Sequence, residues 1–307
     1  MKRIKFYKLI IATTGLLVFA SCKKDYLDVN TDPNNPVKVS IDLVLPTAQA
    51  FTAYNMGNPY QILGGFWGQY WTQGPTGSQF TSYDQYTITS STFDRQWINM
   101  YSGPLNDLRY IVEQGTAGGQ KNYVAVAKIM QAYVFQIMTD LHGDIPFSDA
   151  LKGGNGVIAP KFDSQKDVYE GLIKLVNDGL ALIDETSTVH PAADDLFFGG
   201  DMEKWTRFGN TVKLRIYLRQ AYVQPTIAEN GIKAMYTANA KFLNEGDDAE
   251  VQFSNTTFNE HPLYAFIHSL GEFNILASRT ALDYLINNND PRADEFYMRA
   301  TAAPNAG

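Results

Sequence analysis

Hydrophobic residues recur every three or four positions through Tyr123–Thr139, the most regular pattern in the chain. The recurring positions are Val126, Ile129, Met130, Tyr133, Val134 and Ile137. This spacing places apolar side chains on one face of an α-helix, where they pack against a core. The next segment, Asp140–Pro146, contains a glycine and then a proline, and both oppose a continuing helix. The pattern therefore predicts a helix over 123–139 with a buried face.

Helical spacing extends over most of the chain beyond residue 40. The predicted helices cover residues 42–55, 60–71, 93–114, 164–183, 203–222, 227–241 and 279–287. Residues 74–92 are rich in Gly, Ser, Thr and Tyr and are predicted to form a loop with at most a short strand pair, while the alternation in 250–253 fits a strand. The predicted fold class is mainly α, with tetratricopeptide-like helical hairpins, irregular loops and a few short strands. A strict 34-residue repeat is absent from the sequence, so such hairpins would be degenerate.

Local residue choices refine three of these helices. In the first helix one apolar face is shared by Leu43, Ala50, Phe51 and Tyr54. Gly103-Pro104 should kink or split the helix predicted over 93–114. Ser164, followed three residues later by Asp167, resembles a helix N-cap, and a helix is therefore expected to begin there.

The N-terminus has the layout of a bacterial lipoprotein signal. Four cations precede an uncharged apolar run, Leu9–Ala20, and the small residues Ala20 and Ser21 stand directly before Cys22. That run is shorter than the ~20 residues that a membrane-spanning helix needs. We therefore expect residues 1–21 to be a signal peptide, residues 22–40 to be a tether lipidated at Cys22, and residues 41–307 to be the helical domain. An ordinary secretory signal is the alternative.

The charge of the chain limits which ligands it can bind, and its cysteine content limits what can stabilise the fold. The chain has 32 acidic and 25 basic residues and a net charge of −7, and removal of the signal would take away four more cations. An acidic surface opposes nucleic acid, whose phosphates require basic residues. Uncharged ligands suit it better than polyanions. The single cysteine excludes a disulfide framework, so stability must come from burial.

Aromatic residues around the Gly/Ser-rich segment are the candidate ligand contacts. Tyr70, Trp71, Tyr83 and Tyr86 border it or lie within it, where a core has less need of a ring. Neighbouring Gln73 and Gln79 would bond sugar hydroxyls. The alternative for Trp71 is that it ends an amphipathic helix and is buried.

Two acidic clusters invite other interpretations. Asp140, His142 and Asp144 suit calcium or acid–base chemistry, but in a turn before Ile145-Pro146 such side chains more often bond free backbone groups. Asp194 and Asp195 are adjacent and would point apart in an extended loop, which is a poor start for a glycosidase pair. No cofactor, metal or catalytic residue is predicted.

Arg215 and Arg219 lie one helical turn apart beside an apolar stripe. They are expected to pair with acids on a neighbouring helix. Binding of a ligand carboxylate is the alternative.

Four stretches, in order, resemble motifs of the SusD/RagB family of nutrient-binding outer-membrane lipoproteins from Bacteroidetes. They are Cys22–Asn34 with its Leu-Asp and Asp-Pro pairs, Asp140–Ala150 with Gly-Asp-Ile-Pro-Phe, Lys204–Arg215 with Trp-Thr-Arg-Phe-Gly-Asn, and the Asp-Pro-Arg turn of Asn289–Arg292. Family members usually continue well beyond that turn, whereas this chain ends fifteen residues after Arg292. The domain 41–307 is therefore expected to lack C-terminal elements.

The resemblance implies a SusD-like α-helical fold and a passive role at the cell surface. Such a protein would be lipid-anchored in the outer membrane and would not be an enzyme. It would capture oligosaccharides or other nutrients and deliver them to a SusC-like TonB-dependent transporter. The alternatives are a tetratricopeptide-like scaffold or adhesin lipoprotein that binds only protein, and a surface hydrolase that depends on Asp144.

Overall fold

The computed structural model describes residues 38–270 and 274–297. The predicted signal peptide, Cys22 and most of the predicted tether lie outside these residues. The described helices all belong to the unit Ile41–Gly307.

Helices account for most of the described chain, as predicted. The α-helices are α1 (Ile41–Asn55), α2 (Gln61–Trp67), α3 (Thr81–Asp84), α4 (Asp94–Met100), α5 (Asn106–Ala117), α6 (Lys121–His142), α7 (Gln165–Leu180), α8 (Met202–Arg219), α9 (Pro225–Thr237), α10 (Pro262–Leu270), α11 (Arg279–Asn287) and α12 (Arg292–Phe296). Short π-helical segments, Met56–Tyr60 and Tyr101–Leu105, follow α1 and α4, and Gly153–Asn155 forms a 3₁₀ turn. The strands are β1 (Trp71–Gln73) and β2 (Ile275–Ala277).

Helix α6 is the centre of the core and confirms the strongest prediction. It packs against α5, α7 and α8, and residues such as Val126, Ile129 and Val134 are fully buried. The helix runs three residues further than predicted, to His142, and ends at Gly143, whose φ of 74° lies in the left-handed region that glycine adopts easily. Neighbours in sequence pack as pairs, α5 with α6, α6 with α7 and α8 with α9, which is the predicted hairpin arrangement.

Helix starts and breaks follow the predicted local signals. Ser164 caps α7 by accepting a hydrogen bond from the Asp167 amide at 3.2 Å. Asp201 caps α8 in the same way. Gly103, at φ −93° and ψ −110°, breaks the helix ahead of Pro104.

The face predicted for α1 is wrong. Leu43 and Tyr54 are exposed, and the buried face instead carries Ile41, Leu45, Ala48, Gln49, Thr52 and Asn55. Three of these six are polar. Each of the three donates a specific hydrogen bond, such as Gln49 Nε2 to Asp195 Oδ1 at 2.7 Å, and a hydrophobic pattern does not reveal such bonds.

Two further predictions need correction, and two elements were missed. The helix predicted over 60–71 ends at Trp67, because Trp71 enters strand β1. Residues 250–253 are not a strand. Helix α10 and strand β2 were not predicted, since both depend on partners distant in sequence: α10 packs on the π segment after α1, and β2 on β1.

Candidate functional site

A short antiparallel ladder fixes the segment that contains the candidate aromatic residues. Trp71 pairs with Ala277 and Gln73 with Ile275. The Gln73 side chain donates to Asn274 Oδ1 at 2.6 Å and accepts from the Phe80 amide at 2.6 Å. Gln73 was predicted to contact a ligand, but its side chain instead holds the segment 74–80 against Asn274.

A small hydrophobic cluster supports this loop. Its buried members are Ile62, Phe66 and Phe80, and Trp67, Trp71, Tyr83, Leu263, Phe266 and Ile275 pack around them. The loop also contains two non-glycine residues in the left-handed region, Gln69 at φ 58° and Tyr86 at φ 55°. Such strained positions persist where surrounding packing enforces them, and they concentrate at functional sites.

The structure divides the four predicted aromatic residues among three places. Tyr70 and Trp71 line one groove, and Tyr83 lines a second. Tyr86 lines neither: it is exposed, and its ring centroid lies 6.2 Å from that of Trp67. Trp71 is half-buried in a strand, so the alternative in which it ends a helix is wrong.

The first groove, the aromatic groove, has a volume of about 670 Å³. It is lined by Gln61, Gly64, Gly65, Tyr70, Trp71, Glu295, Phe296 and Tyr297. The Trp71 ring lies directly on Gly65, where an added Cβ would come within 2.2 Å of it. The Tyr297 hydroxyl donates to the Tyr70 carbonyl at 3.2 Å, which joins the two sides of the groove.

The second groove, the amide groove, has a volume of about 420 Å³. Four rings line it, Tyr54, Phe80, Tyr83 and Phe266, beside the polar residues Asn58, Gln79, Ser82, Thr92, Arg95, Gln96 and Asn99. No carboxylate is among its described lining residues. It therefore combines flat apolar surface with several neutral hydrogen-bonding groups.

Tyr83 and Gln96 form the polar edge of the amide groove. Burial raises the pKa of Tyr83, and a hydrogen bond from the Gln96 side chain offsets only part of this rise. The hydroxyl is therefore protonated at neutral pH and available to donate. Gln96 Oε1 is buried and has no hydrogen-bond partner among the described residues.

Most polar residues of the amide groove escaped sequence reasoning. Arg95, Gln96 and Asn99 lie on α4 on the side away from Trp97, so they are read in the sequence as an ordinary solvated face. Asn58 belongs to a π-helical segment and Phe266 to α10, which was not predicted. The polar residues of α4, which follow the aromatic-rich segment in the sequence, are the one feature that could have indicated this groove.

The cluster Asp140, His142 and Asp144 forms a structural turn, as the favoured interpretation predicted. Asp140 accepts a hydrogen bond from the Tyr169 hydroxyl, and Asp144 Oδ1 accepts from the Gln165 amide at 2.8 Å at the start of α7. Burial lowers the pKa of His142, whose ring centroid lies 4.9 Å from that of Trp97, edge to face. Among the described residues, no group of three or more His, Cys, Asp or Glu is placed to hold a metal ion.

The adjacent carboxylates Asp194 and Asp195 also accept hydrogen bonds from other parts of the fold. Asp195 accepts from Gln49 and from Trp205 Nε1 at 2.8 Å, whereas Asp194 accepts from the Tyr123 hydroxyl at 2.9 Å. The two carboxylates thus serve different partners, and both have structural roles.

The two arginines of α8 differ in their partners. Arg219 Nε lies 3.4 Å from Asp140 Oδ2 on α6, the predicted pairing with an acid on a neighbouring helix. Arg215 instead donates to Gln136 Oε1 at 2.8 Å, and its guanidinium carbon lies 4.7 Å from the Tyr133 ring centroid. A carboxylate partner was therefore the wrong prediction for Arg215.

Within the described ranges, no helix has both the length and the apolar character required to span a membrane.

Comparisons with known proteins find proteins of one kind. The family model named SusD-like, described as starch-binding and associating with the outer membrane, matches residues 33–307. A chitin-binding protein of solved structure is similar at 26% identity and a TM-score of 0.70, over 83% of this chain and 54% of that one. A SusD/RagB family protein from Bacteroides thetaiotaomicron is similar at 24% identity and a TM-score of 0.72, over 83% and 53%. A SusD homologue from Bacteroides uniformis is 20% identical, with a TM-score of 0.64, over 81% and 53%.

The chain spans about half the length of these solved relatives. No curated protein matches it.

Proposed function

Because the chain belongs to the SusD-like family, which is described as starch-binding and associating with the outer membrane, we propose that it binds glycan at the cell surface. The amide groove is the proposed binding site. The observation that carries this proposal is the composition of that groove, with the partly exposed rings of Tyr54, Tyr83 and Phe266 beside neutral amides and hydroxyls and no described carboxylate.

This composition matches the chemistry of a sugar. The C–H faces of a pyranose ring pack on aromatic faces, and the hydroxyl groups need donors and acceptors at several angles. Tyr83 supplies a ring and a protonated hydroxyl, and the side-chain amides of Gln79 and Asn99 supply donors and acceptors. A volume of about 420 Å³ lies within the ~300–1,000 Å³ usual for small-molecule sites. The relative named as chitin-binding supports a glycan ligand as well.

We propose binding and not catalysis. The carboxylates that invited a catalytic interpretation are Asp140, Asp144, Asp194 and Asp195, and each accepts hydrogen bonds that hold the fold together. None of them lines the amide groove. A hydrolase dependent on Asp144 therefore receives no support from the geometry.

The test is titration of the purified chain with a panel of plant, host and microbial oligosaccharides. Tyr83→Ala and Gln96→Ala should each weaken binding about tenfold or more, because each removes contact or hydrogen bonding from the groove. Tyr222→Ala is the matched control, since Tyr222 is almost fully exposed and lies outside both grooves. Equal affinity in all variants would exclude the amide groove, and binding of no sugar would contradict the function.

One observation favours a second candidate, the protein-binding scaffold. An apolar groove of about 600 Å³ lies beside α1 and is lined by Pro46, Thr47, Ala50, Phe51, Tyr54, Leu196 and Phe253. Exposed apolar surface of this kind is typical of contacts between proteins. Phe51→Ala that abolishes capture of a protein partner, with no sugar bound by any variant, would favour the scaffold.

Delivery to a SusC-like TonB-dependent transporter and anchoring through lipidated Cys22 complete the proposal. Delivery derives from the family resemblance and anchoring from the lipoprotein layout of the N-terminus, with residues 1–21 as signal, 22–40 as tether and 41–307 as the binding domain. Affinity purification of the natively expressed chain from gently solubilised outer membranes, followed by mass spectrometry, should recover a TonB-dependent barrel in near-stoichiometric amount. Cys22→Ser should move the chain from the membrane fraction to the soluble fraction. A chain that stays in the membrane would contradict anchoring at this residue.

A further inference from the structure

Arg95 differs from the other arginines of the described chain in having no partner. Five arginines lie within ion-pair distance of a carboxylate, namely Arg109 with Glu113, Arg207 with Glu203 and Asp247, Arg219 with Asp140, Arg279 with Asp283, and Arg292 with Asp290. Arg215 donates to Gln136. Within residues 38–270 and 274–297, no hydrogen bond or ion pair engages Arg95.

Arg95 lies where a ligand could serve as its missing partner. Arg95 lies on α4 and lines the amide groove together with Gln96 and Asn99. It is the one charged side chain among the described residues of that lining. A guanidinium presents several N–H donors in a planar fork that matches a carboxylate in two parallel hydrogen bonds. Arg95 is an exposed residue that lines the same groove as the rings and amides, and no carboxylate is among the described lining residues.

We propose that the ligand of the amide groove is a sugar bearing a single carboxylate, and that Arg95 determines this specificity by binding that carboxylate. The inference rests on the proposed function, which it deepens. The rings and amides would bind the sugar body, and Arg95 would distinguish an acidic sugar from a neutral one.

The charge of the whole chain favours one anionic group over many. With a net charge of −7, the protein repels a polyanion at long range, while a single carboxylate needs only the local cation. Arg95 is one isolated charge and not part of a basic patch, because the other lining residues of the groove are neutral. A sulfate ester would also present two oxygens to the guanidinium, because arginine binds tetrahedral oxyanions through two parallel hydrogen bonds too, so experiment must separate the two groups.

The experiment compares matched ligands on the full-length chain by calorimetry. The probes are a xylo-oligosaccharide with one glucuronate group and 3′-sialyllactose, each beside its methyl ester, which keeps the sugar and removes the charge. The wild-type chain should bind at least one acid roughly 10- to 100-fold more tightly than its ester, as expected for a hydrogen-bonded charge pair. A sulfated oligosaccharide that binds with the same advantage over its unsulfated form, with no preference for either carboxylate, would overturn the assignment of the carboxylate.

Two variants locate the effect. Arg95→Gln should lower the ratio of acid affinity to ester affinity to about one, and Arg95→Lys should keep part of the preference because the charge remains without the planar fork. Arg109→Gln is the control, since Arg109 is an arginine of α5 outside the groove and pairs with Glu113. Thermal unfolding of each variant verifies that the chain is folded.

The outcomes separate this inference from the proposed function. Binding that depends on Tyr83 and Gln96 but is equal for acid and ester would overturn the role of Arg95 and leave glycan binding intact. A preference for the acid that survives Arg95→Gln would also overturn it. Binding of a short peptide through its C-terminal carboxylate, in place of any sugar, would overturn both.

Discussion

The core around α6 and the groove region of α2 to α4 are both rich in aromatic rings, but they use them differently. In the core, Trp205 is fully buried and its Nε1 donates to Asp195. In the groove region, Trp71 is half-buried and Tyr70 is more than half exposed. The core uses rings to fill space, whereas the groove region holds them on a small cluster with their faces partly open. Ring content alone therefore does not distinguish structure from binding, but the packing beneath each ring does.

The largest expected effect is the loss of stability when a tryptophan is removed from the core. Trp205→Ala should lower the free energy of unfolding by about 3–5 kcal/mol, because it leaves a large cavity and removes a donor from buried Asp195. Trp71→Ala should cost only about 1–2 kcal/mol, since its side chain is only partly buried. Urea unfolding followed by circular dichroism measures both values. Equal losses would show that the groove region is as much a part of the core as α8.

A smaller effect tests the support of the aromatic groove. Gly65→Ala should destabilise the chain by about 1–3 kcal/mol and displace Trp71, because the new Cβ would come within 2.2 Å of the ring. The adjacent Gly64→Ala is the matched control: its Cβ would meet nothing within 4 Å, and alanine favours the helix by about 0.5–1 kcal/mol. Thermal unfolding and tryptophan fluorescence report the two effects. Gly65→Ala that behaves like Gly64→Ala would contradict the close packing.

The smallest expected effect concerns His142, which links the two regions by packing against Trp97 of α4. Burial lowers the pKa of His142 below the ordinary value of about 6.5, so near that pH the unfolded chain binds more protons than the folded one. This contribution to stability is complete above about pH 7 and is lost as the pH falls below about 6.5. His142→Gln should therefore lose less stability than the wild-type chain between pH 7 and pH 5, as measured by thermal unfolding. Parallel pH profiles would show that the imidazole is not desolvated.

The core was largely predictable from the sequence, because hydrophobic spacing and cap residues act locally. The pattern of α6, the Ser164 cap and the break at Gly103 all follow from neighbours within a few residues. The face of α1 was not predictable, since buried Gln49 is satisfied by Asp195, which is 146 residues away.

The candidate site was predictable only in part. The Gly/Ser-rich segment drew attention to Tyr70, Trp71 and Tyr83, which line grooves, and to Tyr86, which lines neither groove. The amides of α4 and the aromatic residue of α10 meet Tyr83 only in the folded chain, so no local pattern joins them. The lack of a partner for Arg95 likewise becomes visible only in the folded structure, by comparison with the other described arginines.

The pairing of β1 with β2 also sets an order of folding. Gln73 and Asn274 are joined by hydrogen bonds although they are 201 residues apart. Contacts so distant in sequence require a large loop to close, and they form later than contacts between neighbouring helices such as α5–α8. Until the ladder forms, the strand bearing Trp71 has an unpaired edge. The aromatic groove, which needs both Gln61 and Tyr297, is therefore among the last parts of the molecule to be completed.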